Sequence, residues 1–477
     1  WRKDNLDIIT FGENLYYNHN QRSGIYTNGQ YSNNISEMLR ANPLIPIYNE
    51  SGEYYGYDDL NEAGWFGYNP YSTNPIAKMM YTDQGNNISK NYSLNMVGYL
   101  KVQPIKGLTY KGQVSYKQSS NSYRRYNGIY HLNDVGDRRT DDEVQQSMGM
   151  GWNWSVENTL NYKFDVKDEH HFDVLIGQSF QKSGFGMGED ISATASSTLF
   201  GTWDMAYLSN STASAPLSAT GAPWGDSVLS SFFGRVNWKE TYMASLIMRR
   251  DGSSNFARGH RWGTFPSASL GWVMTNEKWM EKTAGWLDFL KIRASWGQNG
   301  SLSALSGYAY STDMASSGIY PLTGGNGFTT GVNPASLGND ELKWETSEQI
   351  DFGLDARFLR DRLTFSVDYY EKKTKDLLVL DTKPSLSIGG KTSPMNAGNV
   401  SNKGWEFELG WRDNIKDFSY SIRANLATLK NEVTYLDPSQ PRLNGASFHT
   451  YQLSFFEKGY PVYYFRGYQF NGLDKQG

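Results

Sequence analysis

Residues 340–378 read D-E-L-K-W-E-T-S-E-Q-I-D-F-G-L-D-A-R-F-L-R-D-R-L-T-F-S-V-D-Y-Y-E-K-K-T-K-D-L-L, and this stretch decides the fold. In its first arm Ile350, Phe352, Leu354, Ala356 and Phe358 fall on one face, with Asp351, Gly353, Asp355 and Arg357 on the other. In its second arm Leu363, Phe365, Val367 and Tyr369 oppose Thr364, Ser366, Asp368 and Tyr370. A period of two belongs to a strand with one apolar and one polar side. The turn Leu359-Arg360-Asp361-Arg362 between the arms predicts a β-hairpin.

The unit repeats along the chain. Leu94, Met96, Gly98, Leu100 and Val102 turn at 104–107 into Leu108, Tyr110, Gly112, Val114 and Tyr116. Trp152 to Phe164 alternates similarly and returns through Phe172, Val174, Ile176 and Phe180. Further pairs are Phe232 to Trp238 with Tyr242 to Met248, and Trp405 to Trp411 with Phe418 to Leu426. A strand at 266–273 and another at 290–296 flank a medium connection over 274–289, with room for one helical turn. Residues 21–90, 118–147, 182–228, 251–264, 297–339, 379–398 and 434–456 read as loops, with one short helix over 35–41. Short turns therefore alternate with long stretches. An outer-membrane barrel has that asymmetry, short periplasmic turns at one rim and long extracellular loops at the other. Sandwiches and propellers do not require it.

Composition agrees. Only 38% of residues are hydrophobic, yet 15% are aromatic, and 48 are glycine. Disordered chains lack aromatics, whereas strands with one wet face need few apolar residues. The net charge of −4 gives no field for nucleic acid. With no cysteine, disulfides and thiolate metal sites are excluded. The longest apolar runs are near six residues, as at 243–248, far short of the roughly 20 needed for a membrane helix. A spanning barrel of alternating strands remains open. At about 9–11 residues per span plus loops, about 14 to 18 strands fit the chain. The expected class is all-β, a transmembrane antiparallel β-barrel.

Several phrases carry a family resemblance. They are the hairpin above, N-A-G-N-V-S-N-K-G-W-E-F-E-L at 396–409, R-R-D-G-S-S-N-F-A with R-W-G-T-F-P-S-A-S-L-G-W at 249–272, L-K-I-R-A-S-W-G-Q-N-G at 290–300, and E-K-G-Y-P-V-Y-Y-F-R-G-Y-Q-F-N-G-L at 457–473. In these the chain resembles the SusC/RagA family of TonB-dependent outer-membrane transporters of Bacteroidetes. The resemblance runs from about residue 230 onward; residues 1–228 fit the pattern of hairpins and loops with weaker phrases. It implies a 22-stranded barrel around a plug domain, energised through TonB and covered by a SusD-like surface lipoprotein. It implies import of oligosaccharides or peptides across the outer membrane of a Gram-negative bacterium, without cofactor and without enzyme chemistry. Residues 1–477 are expected to be a partial barrel, with the plug, the TonB box and the final strands outside this sequence.

Motifs for chemistry are missing. The six histidines form no H-E-x-x-H, and His170-His171 reads as a solvated turn. Gly390-Lys391-Thr392 lacks the preceding P-loop glycine, since Ser385 stands there. No G-x-G-x-x-G is completed around Gly184, Gly186 and Gly188, and no G-x-S-x-G exists. Asp134, Asp137, Asp141, Asp142 and Glu143 crowd one loop in no EF-hand spacing and read as solvated. The candidate ligand-binding residues are loop aromatics: Trp203, Tyr207, Trp224, Tyr308 and Tyr310, with Tyr320 and Phe328 beside them. A sugar ring stacks its apolar face on such rings while polar loop neighbours take its hydroxyls. The bland reading packs these rings on other loops or on the lid. Strand residues Trp152, Trp154, Trp405 and Trp411 are assigned to the wall or its aromatic girdle. A passive porin and a secreted β-rich carbohydrate-active enzyme are the competing readings. The enzyme predicts a buried carboxylate pair and no outward apolar band.

Overall fold

The structure, a computed structural model, describes residues 2–3, 6–24, 34–83, 87–167, 170–185, 191–196, 202–210, 217–221, 226–303, 305, 307–321, 328–382, 393–448, 450–469 and 472. One antiparallel sheet dominates, and thirteen of its sixteen strands follow one another in sequence order. These are β1 (Ile9–Ser23), β2 (Asn87–Ile105), β3 (Leu108–Asn127), β4 (Glu143–Val166), β5 (His170–Phe185), β6 (Asp226–Lys239) and β7 (Tyr242–Ser253). The path continues through β8 (Trp262–Val273), β9 (Leu287–Ser301), β10 (Glu345–Phe358), β11 (Leu363–Thr382), β12 (Ser393–Ile415) and β13 (Phe418–Ala427). A fourteenth strand, β14 (Lys430–Leu436), pairs with the upper half of β12. Strands Ile191–Ser196 and Leu217–Gly221 extend the sheet beside β4.

The hydrogen-bond register shows why the alternation is read so strictly. One row crosses nine strands as Trp405, Tyr369, Phe352, Ala294, Leu270, Ala244, Trp238, Phe172 and Phe164. The next row on the opposite face runs Gly404, Tyr370, Asp351, Ser295, Ser269, Ser245, Asn237, Asp173 and Lys163. A slip of one residue would exchange these rows. The apolar row starts well inside β12 and reaches the turn end at β4, so the strands are staggered, as tilted barrel walls require. The apolar face is bare: Phe352 is 56% exposed and Leu270 64%. Its aromatics stack along the turn end, Tyr162 on Phe164, Phe164 on Phe172, Trp238 on Tyr242 and Tyr242 on Trp272. A row of rings of this kind is the form an interfacial girdle takes, though it is built from residues other than Trp152, Trp154, Trp405 and Trp411.

Connections sort by rim. Residues 106–107, 167, 240–241, 274–286, 359–362 and 416–417 lie between strands at one end. The hairpin turns need the left-handed region: Leu359, Arg360 and Asp361 all have φ near 60°. At Gly107 (φ 85°) a Cβ would also run into the Lys163 carbonyl. The medium connection holds two 3-10 helices, Met274–Asn276 and Lys278–Thr283, at this same rim. At the other end lie the described residues of the remaining connections, 24, 34–83, 128–142, 191–196, 202–210, 217–221, 254–261, 302–303, 305, 307–321 and 328–344. Four short helices, α1 (Asn34–Arg40), α2 (Tyr57–Glu62), α3 (Trp65–Tyr68) and α4 (Pro75–Asp83), form a cap there.

Two expectations are corrected. None of the seven stretches read as loops is a loop through its length: β1 runs to Ser23 and β2 begins at Asn87, β3 runs to Asn127 and β4 begins at Glu143, and β5 runs to Phe185 with strands Ile191–Ser196 and Leu217–Gly221 before β6 begins at Asp226. Likewise β7 runs to Ser253 and β8 begins at Trp262, β9 runs to Ser301 with strands Asp313–Pro321 and Phe328–Ser336 beyond it, β11 runs to Thr382 and β12 begins at Ser393, and β14 reaches Leu436 with short strands such as Arg442–Asn444 and Ser454–Glu457 after it. Residues 21–90 also hold α2, α3 and α4, beyond the one helix expected there. In the extensions of β7 and β11 the alternation lapses, with Leu377, Leu378, Val379 and Leu380 consecutive in β11 and Asp251, Gly252 and Ser253 consecutive in β7, while the β11–β12 ladder continues with bulges. No closed barrel forms either. Among the described residues β1 pairs with β2 along the ladder and β13 with β12, and nothing joins β1 to β13. The sheet is open, with a free edge on each side.

The two faces predict opposite responses to one charge. In the outer membrane Leu270→Lys should cost about 2–4 kcal/mol, the penalty of a lysine against hydrocarbon. Ser269→Lys, one residue away on the polar face, should cost under about 1 kcal/mol. Urea unfolding in lipid vesicles measures both; equal losses would overturn the assignment of faces.

Candidate functional site

The polar face carries the chemistry. Odd-numbered residues of β9 and β10 and even-numbered residues of β11 meet there, and Arg293 stands at their centre. Its Nε donates to Asp355 at 3.0 Å and its Nη2 to Asp368 at 2.7 Å, while the Ser366 hydroxyl donates to Asp355 at 2.6 Å. Arg293 lies on β9 and Asp368 on β11, so the guanidinium must cross β10. It crosses over Gly353, where a Cβ would come within 2.5 Å of Arg293 Cζ. Glycine here serves close approach and not a turn. Beside this bridge Gly271, Met243, Asn237 and Lys291 line a depression of about 310 Å³.

The same design recurs across the wall. Arg249 grips Asp251 with two bonds of 2.8 and 2.9 Å from Nε and donates through Nη2 to Ser231. Asp173 accepts from Asn161 at 2.7 Å and from Arg235 at 3.4 Å. Arg293, Arg249 and Arg235 each meet a carboxylate on a neighbouring position, so part of the charge on this hydrophilic surface is paired. A larger depression of about 590 Å³, lined by Leu160, Ile176, Phe232 and Met248, lies on the apolar face and is not a site for a hydrated solute.

At the upper rim the long loops fold over the polar side. Phe256, Phe265, Leu342, Trp344 and Leu378 form a buried cluster, with Leu305 and Ala309 against it. Trp344 Nε1 donates to the Arg261 carbonyl at 2.9 Å, pinning residues 254–261 and 302–344 together. The helical cap docks by Asn133, whose amide donates to the Ser72 carbonyl, and by the buried ion pair of Lys78 with Asp137. Tyr57 stacks on His131 at 3.9 Å, and His131 meets Asp134 at 2.8 Å. The hydrogen bond from Tyr57 holds the Asp134 carboxyl below its ordinary range, and the same bond pushes the Tyr57 hydroxyl up. The acidic crowd at 134–143 is thus consumed by partners: Asp134 also meets Arg138, and Glu143 meets Arg139. Among the described residues no group of three or more metal-ligating side chains occurs. The histidine pair is similarly occupied: His170 accepts from Trp238, and His171 meets Asp165.

The proposed ligand-binding aromatics do not converge. Tyr308 and Tyr310 stand edge to face at 6.0 Å on the loop cluster over the polar side. Trp203 and Tyr207 lie on the other side of the wall, at 3.6 and 4.1 Å from the Arg124 guanidinium. Trp224 falls outside the described residues, as do the side chains of Tyr320 and Phe328. The Arg293 bridge was missed from sequence. Its signal was present as Gly353, a residue without a side chain on the polar face of the best-patterned strand.

A staggered antiparallel wall, apolar on one side and ion-paired on the other, with all long loops at one rim, defines the class of outer-membrane barrel transporters. The chain matches the family of TonB dependent receptor-like β-barrels over residues 3–476 and belongs to it, as a receptor of the SusC/RagA type in the outer membrane of a Gram-negative bacterium. It is 29% identical over 477 residues to TonB-dependent receptor P3 of Formosa agariphila, covering 98% of this chain and 45% of that protein. It is 27% identical over 474 residues to SusC of Bacteroides thetaiotaomicron, covering 91% of this chain and 43% of that one. The RagAB peptide importer in its closed-closed state shares the fold at a TM-score of 0.74 and 21% identity, over 96% of this chain and 48% of the other. The chain thus spans less than half the length of these relatives. Members of this family are transport proteins and not enzymes.

Two outcomes test the site. Gly353→Leu should displace the guanidinium and cost about 1–3 kcal/mol by overpacking. Adding Arg293→Ala should recover part of that loss, a non-additivity read by a double-mutant cycle; strict additivity would sink the crossing argument. For the cap, a depressed Asp134 pKa means its contribution is complete above about pH 4 and fades as pH falls through the folded value. Protease cleavage of residues 128–142 should therefore rise only in that acid window. Asp134→Asn should abolish the step.

Proposed function

We propose that the chain forms the wall of a closed barrel that imports oligosaccharides or peptides, energised by TonB through a plug domain and covered by a SusD-like lipoprotein. The observation that carries this reading is the pairing of one bare apolar face with one ion-paired polar face over nine strands in register. Such a sheet has no dry core of its own. It is stable where hydrocarbon covers one side and water or a hydrophilic body fills the other. Closure supports the same reading, since an open edge in hydrocarbon leaves backbone groups unsatisfied at several kcal/mol each. Further strands of the longer receptor would supply it.

The long-loop rim is the entry side. Its cap and loop cluster offer a broad surface over the polar face, with Tyr308 and Tyr310 available for ring stacking. Binding and passage, not bond chemistry, are the tasks of these residues. Cargo class rests on kinship: the RagAB structures are of a peptide importer, and the SusC/RagA resemblance adds oligosaccharides.

Deletion of the gene should abolish growth on one class of oligosaccharide or peptide, and loss of TonB should give the same defect. Affinity purification of the full-length receptor should bring down a surface lipoprotein. Uptake that persists without TonB would establish the passive porin reading instead.

A further inference from the structure

We propose that a pocket on the apolar side of the wall, beneath residues 202–210 and built on Arg124 and Lys90, binds the anionic headgroup of an outer-leaflet glycolipid. Face assignment comes first. The β3–β4 register runs without a shift from Tyr110–Leu160 in the apolar belt to Arg124–Gln146 at the upper rim. Arg124 therefore shares the face of Tyr110, and Lys90 shares it on β2, paired with Ser122. Trp203 and Tyr207, on this same side, face away from any cargo on the polar side.

The side chains make a built site. The guanidinium of Arg124 is sandwiched between Trp203 and Tyr207, at 3.6 and 4.1 Å. Both its π-faces are taken, while its Nη1 is buried with no hydrogen-bond partner. A stacked guanidinium presents its N–H edge to planar or tetrahedral oxyanions. The flap itself is fixed: the Leu208 amide donates to Gln146 Oε1 at 2.9 Å, and Trp203 and Leu208 pack on Tyr126, Val144 and Ala206. Arg124, Lys90, Ile88 and Met148 line a space of about 450 Å³ together with the flap.

The location selects the ligand. Lys90 lies four residues above Leu94, the paired neighbour of Gln118 and, through it, of Trp152. At roughly 3.4 Å per residue and a tilt near 40°, that is about 10 Å above the belt. Sugar-borne phosphates or carboxylates of a glycolipid sit at that level, directly over its acyl chains. Exposed Met148 and half-buried Ile88 beside two cations match an amphiphile better than a soluble anion.

The full-length receptor, embedded in phosphatidylcholine nanodiscs, is titrated with bisphosphorylated lipid A, and retention is read by native mass spectrometry. Wild type should retain the lipid about ten-fold better than Lys90→Ala/Arg124→Gln, and dephosphorylated lipid A should bind wild type as weakly as the double variant binds the intact lipid. Inorganic phosphate at equal concentration should not displace it. Equal retention by wild type and variant overturns the proposal. So does displacement by phosphate, or a soluble anionic oligosaccharide that binds in place of the lipid and is lost with the same variants. Heat-modifiable electrophoretic mobility checks assembly. Should Arg124→Gln fail to assemble, Lys90→Ala and Trp203→Leu, each with an expected loss of two-fold or more, decide by the same measurement. The assay reads lipid retention and not uptake, so its failure leaves the import reading standing.

Discussion

Everything in this molecule depends on the backbone ladder of one antiparallel sheet. Thirteen strands follow each other in order, each bonded to its neighbours in sequence. The ladder satisfies the main-chain polar groups without water, the condition for crossing hydrocarbon. It also fixes which residue stands beside which, so that a chain of modest hydrophobicity yields one continuous apolar surface and one continuous polar one. No large buried core is needed: small buried clusters form at the long-loop rim, and Val273, Met280, Leu287 and Ala356 are buried at the turn end.

The polar face solves a second problem. A channel wall must be wet but must not trap solute on a strong fixed charge. Arg293 between Asp355 and Asp368, Arg249 on Asp251 and Arg235 on Asp173 each spend a charge on a neighbour. Such half-exposed pairs add little stability. Their effect is to flatten the field along the wall. Gly353 shows the steric side of the same design, a missing side chain that lets one cation serve two strands.

The rim is where the two faces acquire separate tasks. Phe256 packs with Leu302, Leu305, Ala309, Leu342 and Trp344 over the polar side, while residues 202–210 pack against the apolar side around Arg124. Aromatic residues of the same type thus serve different surroundings: Tyr310 above the wet side, Trp203 beside the lipid level. Composition cannot distinguish them. Both lie in loops rich in Ser, Gly and Ala.

The sequence by itself determined the paired strands of the belt and their two faces, because a period of two is a local property of the chain, and the family through its shared phrases; strands Ile191–Ser196, Leu217–Gly221, Asp313–Pro321 and Phe328–Ser336 carry no such signal. Phe352 beside Asp351 already states which side is apolar. It did not determine how far the strands extend past the belt, since apolar and polar residues cease to alternate there, as in Asp251-Gly252-Ser253 and Leu377-Leu378-Val379-Leu380. It also did not determine which loop aromatics face which side, or that Arg293 reaches across Gly353 to Asp368. Those depend on contacts between residues 75 to 83 positions apart, such as Arg293 with Asp368 and Trp344 with Arg261. Only the paired register of the folded sheet brings such residues together.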